Sequence, residues 1–235
     1  MAPRPIYYDT ETTGLDSKND RIIEIAAFDA VLNKSFSELV NPLIPISEAS
    51  QILCGITNDM VKDSVTFDKV GKRFIEFCSG DVVLIAHNND TFDKLFMDSE
   101  FKRANLEFPK WQFIDSLKWA RKYRPDLPKH SLQYLRQIYK VEENKAHRAL
   151  NDVIVLKAVF EKMIDDLPIE TVMKLLSFQR KENIEFMPFG KFQGKKLAEV
   201  PKSYISWLQK SLVFEKVENK LLKESFEKLG LLQEG

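Results

Sequence analysis

Four carboxylates and one imidazole stand in places that do not suit them unless they do chemistry. Asp9 and Glu11 interrupt the apolar run PIYYDTETTGLD (5–16). Alternate side chains of a strand share a face, so these two carboxylates are expected to point the same way. Side by side and half-buried, they repel each other and resist desolvation unless a cation lies between them. Asp93, in IAHNNDTFDKLF, falls in the first turn of a helix after a strand that ends at His87-Asn88, beside an apolar stripe of Phe92, Leu95 and Phe96. Asp152, in KAHRALNDVIVL, begins a strongly apolar helical stretch, and His147 lies five residues earlier. Five residues turn a regular helix by about 140°, which places His147 on the loop or frayed turn ahead of that helix. Each has a plain reading alone: Asp93 as an acid at a helix N-terminus, Asp152 as a solvated helix residue, His147 as a surface imidazole.

The elements that must bring them together follow from pattern. PIYYDTET and RIIEIAAFDA read as strands joined by the turn TGLDSKND, and KSFSELVNP closes an antiparallel meander. NDMVKDSVTFDKVGKRFIEFCSG is helical with a break near its middle and stops at Gly80. The short apolar run DVVLIAHN is the mark of a central strand covered on both faces. TFDKLFMDSEFKRAN is a helix, WQFIDSLKWA a strand passing into a helix, and HSLQYLRQIY a helix. HRALNDVIVLKAVFEKMIDDL is a long helix ending before Pro168. A meander followed by strands alternating with helices predicts an α/β fold, a mixed β-sheet flanked by helices.

The joint pattern D-x-E on a strand, then H-N-x3-F-D, then H-x-A-x2-D resembles the DEDDh (DnaQ-like) family of 3′–5′ exonucleases, typified by the proofreading epsilon subunit of bacterial DNA polymerase III. The resemblance spans residues 5 to about 166 and is reinforced by EIAAF and CGITNDM. It implies a ribonuclease H-like fold, Asp9, Glu11, Asp93 and Asp152 as metal-binding acids, and His147 as general base, all five being catalytic. It also implies that Thr12, Thr13, Gly14 and Leu15 seat the terminal nucleotide, with Phe92 either stacking there or packing in the core. Asn88 either contacts substrate or, as favoured, caps the next helix or supports the site. Where the family often has histidine before its Gly-Ile pair, this chain has Cys54, which puts a substrate-side contact in question but no metal ligand. Hard oxygen ligands suit two Mg²⁺ or Mn²⁺ ions, and an imidazole with a pKa near ~6.5 suits proton transfer at neutral pH.

Bulk properties narrow the setting. The 235 residues are 44% hydrophobic and 30% charged, ordinary for a globular protein. No apolar run approaches a membrane span and Met1–Thr10 carries no targeting pattern, so a cytoplasmic location and no membrane partner are expected. Cys54 and Cys78 lack metal or disulfide spacing and are expected to be buried thiols. Net charge is zero. Residues 110–148 nonetheless hold ten Lys/Arg against four acids, either a patch for a phosphate backbone or solvated helix faces.

Composition shifts after Asp166: residues 168–235 hold 12 Lys/Arg and 9 acids, while residues 1–167 hold 23 and 26. The expected organisation is an exonuclease domain at 1–167, a helical linker at 168–185 and a small appended C-terminal domain at 186–235, binding nucleic acid or protein. MPFGKFQGKKLAEVPKSYISWL resembles a small domain of uncharacterised function found alone or appended to exonucleases. Its aromatics are expected to form the small core with the lysines solvated; the other reading has Lys191, Lys195 and Lys196 gripping phosphates beside Phe189, Phe192, Tyr204 or Trp207. QKSLVF (209–214) resembles the short peptides that bind sliding clamps, but it falls inside an expected helix, which counts against clamp binding.

The leading expectation is a metal-dependent 3′–5′ exonuclease removing nucleoside monophosphates from single-stranded or frayed 3′ ends. DNA is favoured over RNA, in proofreading or repair, with a replicative polymerase as a further partner. The alternatives are an RNA-trimming exoribonuclease of the same family and a non-cutting nucleic-acid-binding or assembly protein.

Overall fold

The computed structural model describes residues 2–142, 149–177, 184–216 and 219–232. The chain divides into two compact units, Met1–Ser177 and Phe178–Gly235.

The first unit is built on five strands: β1 (Arg4–Thr12), β2 (Ile22–Asp29), β3 (Lys34–Leu39), β4 (Val82–Ala86) and β5 (Gln112–Asp115), in the order β3-β2-β1-β4-β5. β1, β2 and β3 form the expected antiparallel meander, and β4 and β5 run parallel to β1. Helices α1 (Glu48–Cys54), α2 (Asn58–Val61) and α3 (Phe67–Phe77) lie between β3 and β4, and α4 (Asp93–Arg103) lies between β4 and β5. After β5 come α5 (Ser116–Tyr123), α6 (Leu132–Ile138), α7 (Ala149–Ile164) and α8 (Ile169–Ser177).

Alternation along β1 assigns the two layers. Tyr8 and Ile6 pack on one face with Phe74 of α3 and Phe96 and Phe101 of α4. Tyr7 faces the other way, edge-on to Phe160 of α7 with ring centroids 6.3 Å apart. β4 is buried throughout, as its unbroken apolar run predicts for a strand covered on both faces. Each large apolar side chain fully buried this way contributes roughly 1.5–3 kcal/mol.

Three local features differ from the pattern reading. α1 is an added element: Ser47 caps it by accepting the Ser50 N–H, and Gly55 ends it in the left-handed region at φ 71°. Its Ile52 and Leu53 are exposed, so it has no apolar stripe for periodicity to detect. Leu95 of α4 is exposed rather than part of the buried stripe. Within the expected linker 168–185, α8 is helical but docks on the first unit, with Val172 fully buried against the α7 layer. A helix with one apolar face is stabilised by covering that face, so it does not serve as a free spacer.

Of the ten basic residues in 110–148, four are engaged within the fold, and Lys145 and Arg148 lie outside the described residues. Arg124 pairs with Asp126 and reaches Tyr139 Oη at 2.7 Å, Lys118 pairs with Asp90, and Lys122 Nζ donates to the Leu175 carbonyl. Arg136 is buried against Gln133. Both cysteines are buried free thiols. Among the described residues no helix is long and apolar enough to cross a membrane.

The second unit pairs a short hairpin, bridged at Phe186 and Lys196, with α9 (Lys202–Lys210) and α10 (Lys220–Lys228). Met187, Leu197, Ile205, Leu208 and Phe226 form its core. Gly190 is required at φ 78°, because a Cβ there would strike the Tyr204 hydroxyl. α9 stops at Lys210, and Phe214, which a clamp-binding peptide would have to offer, is buried in this core.

Candidate active site

The same alternation that sorts the core sets the site. Asp9 and Glu11 share the face of Tyr7, toward α7, and Thr10 shares the face of Tyr8, toward α4. Oxygens of Asp9, Glu11 and Asp152 all lie within 4.8 Å of one another. Asp152 stands in the first turn of α7, and α7 is held over β1 from below: Glu24 of β2, opposite Glu11 in register, accepts the Ala149 N–H at 3.2 Å. Gln133 Nε2 donates to Asp152 Oδ1 at 3.3 Å, and Arg136 Nε steadies that amide at 2.9 Å.

Asp93 arrives from the opposite layer. β4 pairs with β1 only as far as Tyr7, so β1 runs on beyond its parallel neighbour. The Thr10 N–H donates instead to Asp93 Oδ1 at 3.1 Å, and Thr10 Oγ1 donates to the same oxygen at 2.8 Å. The turn that delivers Asp93 is tied down by Asp115, which caps α5 through Leu117 N–H and Lys118 N–H and also accepts the N–H groups of Asn88 and Asp90. Asn89 accepts the Tyr8 hydroxyl beneath it. Asn88 itself sits at φ 71°, and its Oδ1 accepts from Thr91 Oγ1 at 2.7 Å, so its side chain makes no helix-capping bond to a backbone N–H.

The electrostatics of this arrangement are those of an acid cluster. Burial pushes the Asp9 carboxyl far above its ordinary range, and Asp93, Glu11, Asp152 and Glu24 push it further. Burial raises Asp93 to about 7, against the two hydrogen bonds from Thr10 that favour its charged form. Positive charge is what relieves such a cluster, and its donors are all hard oxygens, so the residues fit a divalent cation. His147 lies outside the described residues.

The loop after β1 uses its polar groups internally. Thr12 Oγ1 donates to the Gly14 carbonyl at 2.5 Å. Thr13 Oγ1 donates to Asp20 Oδ1 at 2.9 Å and accepts the Arg21 N–H at 3.0 Å. Asp20 fills the space where a side chain at position 14 would go, which is the physical need for Gly14. Both hydroxyls thus close the loop, Thr12 through the Gly14 carbonyl and Thr13 through Asp20. Leu15, 84% exposed, is the side chain the loop presents. Phe92 packs on Phe96 with centroids 4.9 Å apart, at the margin of the α4 core. Cys54 is buried, with Sγ donating to the Ser50 carbonyl at 3.0 Å. Burial first, and Glu11 and Glu24 further down, raise its thiol pKa.

Glu24, Asp115, Asp20 and Gln133 support the site without having been singled out by pattern. Glu24 had a readable signal, being the one acid among the apolar residues of IIEIAAF. Glu24→Ala is expected to cost about 1–2 kcal/mol of stability through the lost helix cap. It is also expected to lower turnover roughly 10–100-fold, as loss of a supporting group does. Glu24→Gln, which keeps an acceptor for Ala149, should recover most of the stability; thermal denaturation and kcat on the three proteins check this.

Comparison with known proteins agrees with the geometry. A family model described as "Exonuclease" (RNase_T) matches residues 6–160. Exonuclease DPD1, chloroplastic/mitochondrial, of Arabidopsis thaliana is 39% identical over 180 residues, covering 69% of this chain and 56% of that protein. The PolC-type DNA polymerase III of Caldanaerobacter subterraneus subsp. tengcongensis is 35% identical over 191 residues, covering 78% of this chain and 13% of the polymerase. The chain therefore spans about half the length of the first and about an eighth of the second. Among solved structures, Exonuclease X in complex with 5′ overhanging duplex DNA superposes with a TM-score of 0.58 at 26% identity, covering 73% of this chain and 99% of that one. A second family model, named for a quorum-sensing-regulated virulence factor, matches residues 181–217. Through residues 6–160, which contain the acids gathered around β1, this chain belongs to the RNase_T exonuclease family.

Proposed function

We propose that the first unit is a metal-dependent 3′–5′ exonuclease acting on single-stranded or frayed 3′ ends, of DNA in preference to RNA. The observation that carries this reading is the convergence of Asp9, Glu11 and Asp152 oxygens within 4.8 Å, with Asp93 anchored at the adjoining Thr10. Family membership supports the reaction class. The preference for DNA rests on the names of relatives, a DNA polymerase and an exonuclease bound to duplex DNA. The presence of the matching segment inside PolC-type polymerases supports proofreading beside a polymerase as its setting.

Asp9, Glu11, Asp93 and Asp152 would hold two Mg²⁺ or Mn²⁺ ions, which neutralise the negative charge that develops on the attacking and leaving oxygens of a phosphodiester. The remaining work falls to the chain. α7 and β1 hold three carboxylates at fixed separation, so little reorganisation is left for the reacting state. Leu15 projects from the loop beside them, where it can wedge against the terminal base. His147, two residues before α7, is the base that accepts the proton of the attacking water.

Incubation of the purified protein with 5′-labelled single-stranded DNA and RNA, with and without Mg²⁺ or Mn²⁺, tests this. Metal-dependent shortening from the 3′ end, faster on DNA, is the expected result; no shortening of either strand overturns it. In the same assay His147→Ala is expected to lower turnover by roughly 10²–10⁴-fold, the range of a general base. Its affinity for Mn²⁺, read by calorimetry, should stay close to wild type, and near-normal turnover would remove His147 from the mechanism.

A further inference from the structure

The second unit carries a row of aromatic rings that runs from the margin of its core out to solvent. Tyr204 and Trp207 lie three residues apart on α9 and so share one helix face, with rings stacked at 5.4 Å and 21°. Phe192, at the tip of the hairpin, meets Tyr204 edge-on at 4.8 Å. Phe192 and Tyr204 are half-buried against the core, whereas Trp207 is 54% exposed and outside it. An exposed tryptophan that continues a row of half-buried rings offers its π-face to a ligand. The charge beside that row is one-sided: Lys191 and Lys195 are both exposed, and each ammonium lies 5.8 Å from the centroid of Phe192. Among the described residues neither lysine forms a salt bridge.

We propose that Phe192, Tyr204 and Trp207, flanked by Lys191 and Lys195, form a stacking platform for single-stranded nucleic acid. Every base has a π-face, so a row of aromatic rings holds a strand without reading its sequence, and lysines beside the rings match the phosphates. The hairpin geometry is built for this: Gly190 at φ 78° lets the chain pass against the Tyr204 hydroxyl, and Gly194 at φ 77° turns it back, bringing both lysines to the same ring. The expected reading of this segment, aromatics inside and lysines solvated, therefore holds for Phe189, Phe192 and Tyr204, which pack against the core, and for the three exposed lysines, and fails for Trp207. The choice of ligand rests on the exonuclease reading of the first unit, since the platform would hold a strand whose end that unit trims.

The test uses the full chain in EDTA, where no cleavage occurs, and a fluorescein-labelled oligothymidylate. Wild type is expected to bind it with quenching of tryptophan fluorescence. Trp207→Ala is expected to weaken binding roughly tenfold, the size of one base–aromatic stack. Trp207→Phe should restore most of the affinity while the fluorescence change is lost, and a Lys191→Glu/Lys195→Glu double variant should bind weakly with a flatter salt dependence. Unchanged strand binding in Trp207→Ala and the double variant overturns the proposal and leaves the surface to a protein partner. The two readings fail separately: wild type that binds with Trp207 quenching yet shortens no strand in Mg²⁺ supports the platform and removes the exonuclease.

Discussion

Asp9→Asn is expected to unfold at a higher temperature than wild type when both proteins are freed of divalent metal, while losing at least about 10²–10³-fold in turnover, the scale of removing one fixed electrostatic stabiliser. The two effects have one cause. In the metal-free chain Asp9 is half-buried beside Asp93, Glu11, Asp152 and Glu24, and its charge is unfavourable there. An amide of the same shape removes the repulsion and with it a ligand. The pH dependence follows with a definite sign. Asp9 and Asp93 have folded-state pKa values above the unfolded reference of about 3.9, so the folded chain holds more protons than the unfolded one in the window between. Stability of the metal-free wild type should therefore fall as pH rises, over a window running from about 4 to the value of about 7 that Asp93 reaches. Saturating Mn²⁺ binds only the folded cluster and should flatten this decline. Differential scanning calorimetry with EDTA and with Mn²⁺ reads all of it. A metal-free Asp9→Asn protein less stable than wild type, or one with full turnover, would contradict this account of the cluster.

Glu100→Ala is expected to be among the most damaging substitutions outside the acid cluster, costing about 3 kcal/mol. Glu100 is only 1% exposed and receives Arg21 through a bidentate pair at 2.5 and 3.0 Å and Arg103 at 2.9 Å. Arg103 also donates to the carbonyls of Ser17, Lys18 and Asp20, so one carboxylate holds the loop after β1 against α4. Its removal leaves two guanidinium groups without their counter-charge. Both are partly exposed, which is why the lower end of the range for broken buried pairs applies. Urea denaturation measures the loss, and a transition midpoint equal to that of wild type would show that water replaces the carboxylate at no cost. Where the variant is still folded, KM should rise more than kcat falls, because the loop bearing Leu15 is loosened while the acids stay in place.

The sequence disclosed the acids more readily than what holds them. Asp9 and Glu11 were legible because a period of two puts both on one face of an apolar strand. β4 was legible because five consecutive buried positions leave an unbroken apolar run. Asp93 and Asp152 were placed by helix starts, but the hydrogen bonds that fix them join residues far apart in the chain. Glu24 caps α7 from 125 residues away, and Asp93 meets Thr10 across 83, separations at which no local pattern carries a signal. Thr12 and Thr13 read as a seat for the terminal nucleotide; that Thr13 also ties the loop shut was not legible because its partner Asp20 lies seven positions on. α8 read as part of a helical linker because its apolar face makes sense only once α7 is there to receive Val172.

The mismatch in length between β1 and β4 has a consequence beyond catalysis. Past Tyr7, β1 is an interior strand that has become an edge on one side, and an unpaired strand edge is a template for another chain. Asp93 occupies that edge with a side chain where a neighbouring strand would otherwise pair. By taking the Thr10 N–H, its carboxyl leaves an incoming backbone no donor to pair with at that position, so Asp93 also guards the fold against strand addition where β1 outruns β4.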